Sequence, residues 1–233
     1  MKPPIAATAR TVAPPDIPKH FAAKLRRADD FIRLGVAAAA QVYPDIEKDL
    51  SGQRTGLFVG TAFGPMQTNF EVLGLIVDED QTSPTLFSHS VFNSAAGYIA
   101  RLFNISGSSF TFTDFSWPFF RALAEGYHAI ASGLLDHCLV LQVESYSDLL
   151  LDALQRTGVN GHDWSMGAVA WYLSSSGNSQ GPQIEHIEIE SKPATSHAML
   201  QRSEELRSGS EAKACSTPLA AARALTELIE QRS

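Results

Sequence analysis

Cysteine is scarce in this 233-residue chain: Cys138 and Cys215 are the only two. That excludes a disulfide framework and points to a reducing compartment. Cys138 lies in the apolar run HCLVLQV and reads as an inert core thiol, whereas Cys215 sits in a polar segment without an evident partner. Positive charge is also in deficit, with 18 Lys and Arg against 25 Asp and Glu, a net charge of −7. A general nucleic-acid binder is thereby disfavoured, and so is a base-stacking role for the many phenylalanines. Long apolar runs are missing, with none approaching the about 20 residues that cross a bilayer. MKPPIAATARTVAPP lacks the apolar core of a signal peptide. The expectation is a soluble, cytoplasmic protein without membrane contact.

Familiar chemical motifs are missing too. The seven histidines have no H-x-x-x-H spacing and no Cys or carboxylate pattern beside them, so each reads as a surface or structural residue and no metal is expected. Gly60 and Gly64 are followed by no Gly-Lys-Ser/Thr, which argues against a phosphate loop and for close backbone approach. No cofactor is expected. Asp29-Asp30 and Asp78-Glu79-Asp80 read as solvated acidic positions, and Lys24, Arg26 and Arg27 as a solvated helix face.

What remains is ample material for a core, 44% hydrophobic. Ile5–Val12 reads as a short strand. Pro18 opens one long helix to Tyr43, on which Phe21, Leu25, Phe31, Leu34, Ala38 and Val42 mostly share a face. Arg54–Gly60 is a buried strand leading through the glycine loop into a helix. Val91, Ala95, Tyr98, Ile99 and Leu102 carry helical spacing through SHSVFNSAAGYIARLF, NISGSS breaks it, and SFTFTDF alternates as a strand. That strand runs into Ser116, Trp117, Pro118 and the helix FFRALAEGYHAIASGLL. Asp136–Glu144 is a strand apolar enough to be covered on both faces, Ser147–Arg156 a helix, Ser165–Leu173 a strand, and IEHIEIE an edge strand. Three stretches divide the chain: a domain over 1–191, a polar linker over 192–217 and a helix over 218–233 that packs on the domain. The alternation specifies an α/β domain around a mixed sheet covered by helices.

The stretch from Pro84 to Leu123 organises the rest. A helix, a turn, a strand and a residue at the sharp start of the next helix display a nucleophile well, because amides at a helix start stabilise negative charge. Ser116 holds that place, and a serine hydroxyl is a weak nucleophile without an adjacent base, which the sequence does not identify.

Together these segments resemble the N-terminal half of a β-ketoacyl synthase of the thiolase-like superfamily. RTGLFVGTAFGP looks like that family's strand and glycine loop, and FSHSVFNSAAGYIARLFNISGSSFTF like its helix, turn and strand. LAEGYHAIASGLLDHCLVLQVE fits the next helix, turn and strand, and WSMGAVAWYL is similar to a later strand. The resemblance implies a truncated thiolase-like fold, about one half of a ketosynthase. Counting from Gly107 through Thr111 places Ser116 where the family has its acyl-accepting cysteine, and the histidine motifs of the family's C-terminal half are missing.

A chain so altered resembles the chain-length factor of type II polyketide systems, an inactive homologue paired with an active ketosynthase. Half-length ketosynthase-like proteins of aryl polyene clusters are a more particular likeness. The resemblance implies no catalytic residue, a full-length ketosynthase as heterodimer partner, and an acyl carrier protein met through the complex. It implies an interface at Asn93, Phe110, Phe112, Phe115 and Trp117, and a substrate tunnel gated by Phe63, Met66, Leu86 and Phe87. Two other readings stay open: an acyltransferase or hydrolase using Ser116, and a homodimeric module that binds a carrier protein.

Overall fold

The computed structural model describes residues 3–43, 54–156, 164–175, 182–184, 187 and 217–231. Five strands form one mixed sheet in the order β1-β5-β4-β2-β3. They are β1 (Ile5–Val12), β2 (Thr55–Thr61), β3 (Ser109–Thr113), β4 (His137–Glu144) and β5 (Gly167–Ser174). Strand β2 runs parallel to both β3 and β4, while β5 runs antiparallel to β4 and to β1. The central strands β2, β4 and β5 are buried along their whole length, as a sheet covered on both faces requires.

Alternation along these strands sorts the core into two layers. Leu57, Val59, Leu139, Leu141, Val143, Ala168 and Ala170 pack under α2 (Asp30–Val42) and α5 (Ser94–Leu102). Phe58, Cys138, Val140, Val169, Trp171 and Leu173 face α6 (Pro118–Ala131) and the last helix, α8 (Pro218–Glu230). Helix α8 buries Leu219 and Ala222, and its Thr226 hydroxyl accepts the indole N–H of Trp171 at 2.9 Å. At its outer end Arg10 of β1 pairs with Glu227 and, at 2.8 Å, with Glu230.

Two expected helices prove to be four. The span from Pro18 to Tyr43 splits into α1 (Lys19–Ala22), a run of turns, and α2. Asp29 makes the break: its carboxylate accepts the Ile32 amide at 2.9 Å and so caps α2. Its other oxygen accepts the Thr68 hydroxyl at 2.5 Å, so Asp29 is a structural anchor and not a solvated acid. Lys24, Arg26 and Arg27 consequently lie in the turn. The helix expected around Val91 is likewise broken into α4 (Pro84–His89) and α5, leaving Val91 41% exposed. Between them Phe92 covers Gly64, whose φ of +60° and lack of a side chain allow that ring to sit against it.

Helices α3 (Met66–Asp78) and α7 (Asp148–Arg156) complete the chain. Ser147 caps α7 through the Leu150 amide at 3.2 Å. Of the edge strand expected at 184–190, most lies outside the described residues, although Gln183 forms a single bridge to Pro4. Among the described residues no helix is long and apolar enough to cross a membrane.

Candidate functional site

The parallel pair β2 and β3 carries two loops to the same end of the sheet. One follows β3 into α6, and α6 can begin there only because Gly60 has no side chain. A Cβ at Gly60 would lie 2.2 Å from the Pro118 carbonyl oxygen. In the turn the Asp114 carboxylate accepts the amide of Ser116 at 2.7 Å and of Trp117 at 3.1 Å, and it pairs with Arg121 of α6. Burial would raise the Asp114 carboxyl, but the Arg121 pair and the two amides outweigh it and hold the group below its ordinary 3.8. The amides at the start of α6, the natural place for a developing oxyanion, are thus occupied by the chain's own carboxylate. The Ser116 hydroxyl makes no hydrogen bond among the described residues. Among the described residues Ser116 is thus paired with no base, and its own amide and that of Trp117 are taken.

The Asp114 anchor is testable. Asp114→Ala removes the two amide bonds and the Arg121 pair, and should lower stability by about 1–2 kcal/mol at neutral pH. Because the folded pKa is depressed, that contribution is present above 3.8 and lost as pH falls below it. Thermal melts of wild type and variant should therefore converge in acid.

The second loop, Thr61–Gly64, is held from below by the end of β4. Glu144 is fully buried, and its carboxylate accepts the Ala62 amide at 2.7 Å, the Gln142 side-chain amide at 2.9 Å, the Thr61 hydroxyl at 3.3 Å and the Phe63 amide at 3.4 Å. The Ser145 hydroxyl donates to the Gly64 carbonyl at 3.1 Å. Burial dominates at Glu144 and lifts its carboxyl to about 7 despite the four donors. The loop thereby delivers Phe63 into an aromatic cluster. Its ring lies 5.4 Å from Phe115, 5.9 Å from Tyr146 and 5.7 Å from Trp164. Phe115, the residue before Ser116, joins this cluster through its contact with Phe63.

The other expected tunnel residues separate. Leu86 lines a cleft of ≈ 430 Å³ together with Phe31, Thr68, His89, Tyr146 and Met166. His89 is buried and its Nε2 lies 2.9 Å from the Tyr98 hydroxyl, so it is a structural histidine. Met66 is half-buried at the start of α3, and Phe87 is 65% exposed on α4, outside the cleft. Among the described residues no group of side chains could hold a metal ion.

The expected interface residues fall on β3, the turn after it and the start of α5. Strand β3 ends the sheet, so its outer edge pairs with no strand of this chain among the described residues. Phe110 stacks on Phe58 yet is 52% exposed, and Phe115 is 54% exposed. Phe112 packs partly into the α6 layer, Trp117 lies half-buried against Phe120, and Asn93 stands exposed at the start of α5. Phe70, Leu73, Ile76 and Val77 of α3, with Phe87, Val91 and Phe92, are exposed as well. Helix α3 buries Thr68 alone. Sequence reasoning missed Asp29, Asp114 and Glu144. Asp29 and Asp114 stood at helix starts, where a carboxylate is an N-cap candidate, and Glu144 closed an otherwise apolar strand.

The family model described as the β-ketoacyl synthase N-terminal domain matches residues 4–231. No curated protein matches the chain in sequence. Among solved structures, the ishigamide ketosynthase/chain length factor superposes with a TM-score of 0.62 at 14% identity, over 78% of this chain and 64% of that one. The AntDE:AntF complex, described as a type II PKS acyl-carrier protein with its ketosynthase, gives 0.63 at 18% identity over 74% and 63%. The ketosynthase ApeO in complex with its chain length factor ApeC, from Xenorhabdus doucetiae, gives 0.56 at 16% identity, over 90% of this chain and 93% of that one. The chain thus spans under two thirds of the first two structures and nearly all of the third. At these identities the likeness is one of fold: a thiolase-like mixed sheet, half of a ketosynthase.

Proposed function

The chain belongs to the β-ketoacyl synthase family, and on that premise we propose that it is a catalytically silent, chain-length-factor-like subunit. It pairs with a full-length ketosynthase and forms part of the acyl tunnel wall during elongation on an acyl carrier protein. The observation that carries the reading is the β3–α6 turn. In this reading Ser116 takes the nucleophile's place; Asp114 occupies its amide and that of Trp117, and Phe115 beside it joins the cluster of Phe63, Tyr146 and Trp164. A site closed in this way supports a structural contribution to a partner's chemistry over chemistry of its own.

The exposed apolar edge supports a partner. Phe110 on an edge strand, Phe115 in the turn after it, and four large hydrophobics on α3 would be a liability on a lone monomer. The ketosynthase supplies the cysteine and histidines in this reading. This chain supplies β3 for sheet extension across the interface, and Phe63, Met66, Leu86 and Phe87 as candidate limits on chain length. Similarity to the ApeO–ApeC structure, a ketosynthase with its chain length factor, supports the pairing, and an aryl polyene cluster is the setting proposed for it.

Light scattering on the chain alone and co-expressed with a ketosynthase encoded beside its gene tests the proposal. The expected result is a 1:1 complex, with aggregation or low yield of the chain alone. A well-behaved lone protein that ignores the ketosynthase would overturn it. So would an acyl adduct on Ser116, found by mass spectrometry after incubation with acyl-carrier substrates, since that is the mark of an acyltransferase or hydrolase.

A further inference from the structure

Phe63 owes its place to a group that lies beneath it and touches none of the other rings of its cluster by hydrogen bonding. The glycine loop is short and has no side-chain anchor of its own except Thr61, whose hydroxyl accepts the Gly64 amide at 2.9 Å. Phe92 covers Gly64, and the Asp114 amide and the Ser145 hydroxyl hold the Thr61 and Gly64 carbonyls, while Glu144 of β4 makes the bonds to the Thr61 hydroxyl and to the Ala62 and Phe63 amides. One Glu144 oxygen, Oε1, takes the Ala62 amide and the Gln142 side chain; the other, Oε2, takes Thr61 and Phe63. We propose that Glu144 is a positioning residue for Phe63: its ionised carboxylate locks the glycine loop and the ring it carries, and protonation releases them. The proposal rests on the reading above in that Phe63 is taken as part of the tunnel wall.

The hydrogen-bond inventory explains why protonation acts on this loop. An ionised carboxylate accepts only, and all four neighbours donate to it. A proton on Oε2 would meet the Phe63 amide donor against donor, and would require the Thr61 hydroxyl to turn from donor to acceptor. A proton on Oε1 would meet the Ala62 amide donor against donor. The acid has a further outlet. The carbonyl oxygen of the buried Gln142 side chain has no partner among the described residues. A turn of that amide would present it to a proton on Oε1, whose oxygen is then a poorer acceptor for the Ala62 amide. The pair Gln142 and Glu144 therefore satisfies two states, and the ionised one, with both oxygens charged acceptors, holds the loop more tightly.

The surroundings leave Glu144 free to titrate on its own. Strand β2 and the loop offer it neutral donors, and across β5 it faces Gly167. The Tyr146 hydroxyl interacts with it electrostatically, and Arg223 of α8 acts on Tyr146 in turn. At the start of α6 the charges of Asp114 and Arg121 are spent on each other. With burial raising its carboxyl to about 7, Glu144 changes state near neutrality.

The test places 4-fluorophenylalanine at position 63 of the full chain and follows its fluorine resonance from pH 5.5 to 8.5. The resonance should titrate with a midpoint near 7. In Glu144→Gln the titration should vanish, while Glu144→Asp, which keeps an ionisable group, should retain one with a displaced midpoint. A resonance that is flat in wild type, or that titrates equally in Glu144→Gln, overturns the proposal. Thermal melts give a second readout. The folded carboxyl titrates above its ordinary 4.5, so the folded state binds the proton more tightly than the unfolded chain. Wild-type stability must then fall as pH rises from 4.5 to about 7, and Glu144→Gln must lack that slope. An equal slope in both proteins overturns the proposal too. These readouts use the chain alone, so failure to bind a ketosynthase would remove the tunnel-wall reading and leave the loop lock standing. Where the complex forms, Glu144→Gln at pH 8 should give the longer products of wild type at pH 6.

Discussion

Replacing Phe110 and Phe115 together by aspartate should abolish the complex with a ketosynthase while leaving the chain folded. Both rings are more than half exposed, at 52% and 54%, so neither is needed to fill the core. Phe110 lies on β3, which with β1 is one of the two edge strands of the sheet, where another sheet can be added without disturbing existing strand pairs, and Phe115 follows it in the turn. Large aromatics at the centre of an interface commonly contribute about 2 kcal/mol or more each. Losing two, and burying charge in their place, should weaken association by about 4 kcal/mol, roughly a thousandfold in Kd. Isothermal titration of the ketosynthase with wild-type and variant chain measures this. Leu134→Asp is the control, because Leu134 is 58% exposed in the α6–β4 turn and away from that edge. Equal losses in both variants would mean that the chain had merely become less stable. An unaffected double variant would move the interface away from β3.

How far the sequence foretold this edge depends on what kind of cause shaped each element. Strand β1 occupies Ile5–Val12, as its local pattern alone indicates, and α7 starts after a serine cap readable in place. Alternation placed Phe110 and Phe112 on a strand, and turn residues placed its start after NISGSS. The misread segments are those where a tertiary contact chose between two acceptable local structures. Ala22 to Arg27 is made of good helix formers, so nothing local ends the helix there. The break is set by Asp29, committed at once to the Ile32 amide and, far along the chain, to Thr68. The break after His89 has the same character, since Phe92 must reach Gly64. In the site, the displayed residue Ser116 was legible because strand, turn and helix are consecutive. The carboxylate that closes its amides was hidden by its ordinary appearance, as aspartate in a turn. Glu144 was hidden by averaging: a strand judged by its mean apolarity conceals the two polar residues, Gln142 and Glu144, that organise the loop opposite.

The open edge can be tolerated only if the rest of the half-fold is closed, and α8 closes it. Without that helix the face bearing Trp171, Val169 and Phe119 would lie partly bare, because α6 covers the β2 and β4 side of the sheet and α8 covers β5 and β1. Leu219→Asp should therefore have the largest effect on folding of any single change near this face. Leu219 is fully buried, and the nearest cation along the helix, Arg223 one turn on, is already held by the Ser165 hydroxyl and the Met166 carbonyl. An unpaired buried charge costs at least about 3 kcal/mol, a large part of the roughly 5–15 kcal/mol that holds a domain together. Helix α8 should detach, exposing Trp171 and part of α6. The expected signs are a lower melting midpoint, a red shift of tryptophan emission and binding of an apolar dye. Thr226→Val provides the graded comparison. It keeps the helix seated but leaves the buried Trp171 N–H without its acceptor, at a cost of about 1–3 kcal/mol. If Leu219→Asp melts like wild type, the sheet face closes without α8, and the chain's ability to stand as half a ketosynthase must come from elsewhere in its sequence.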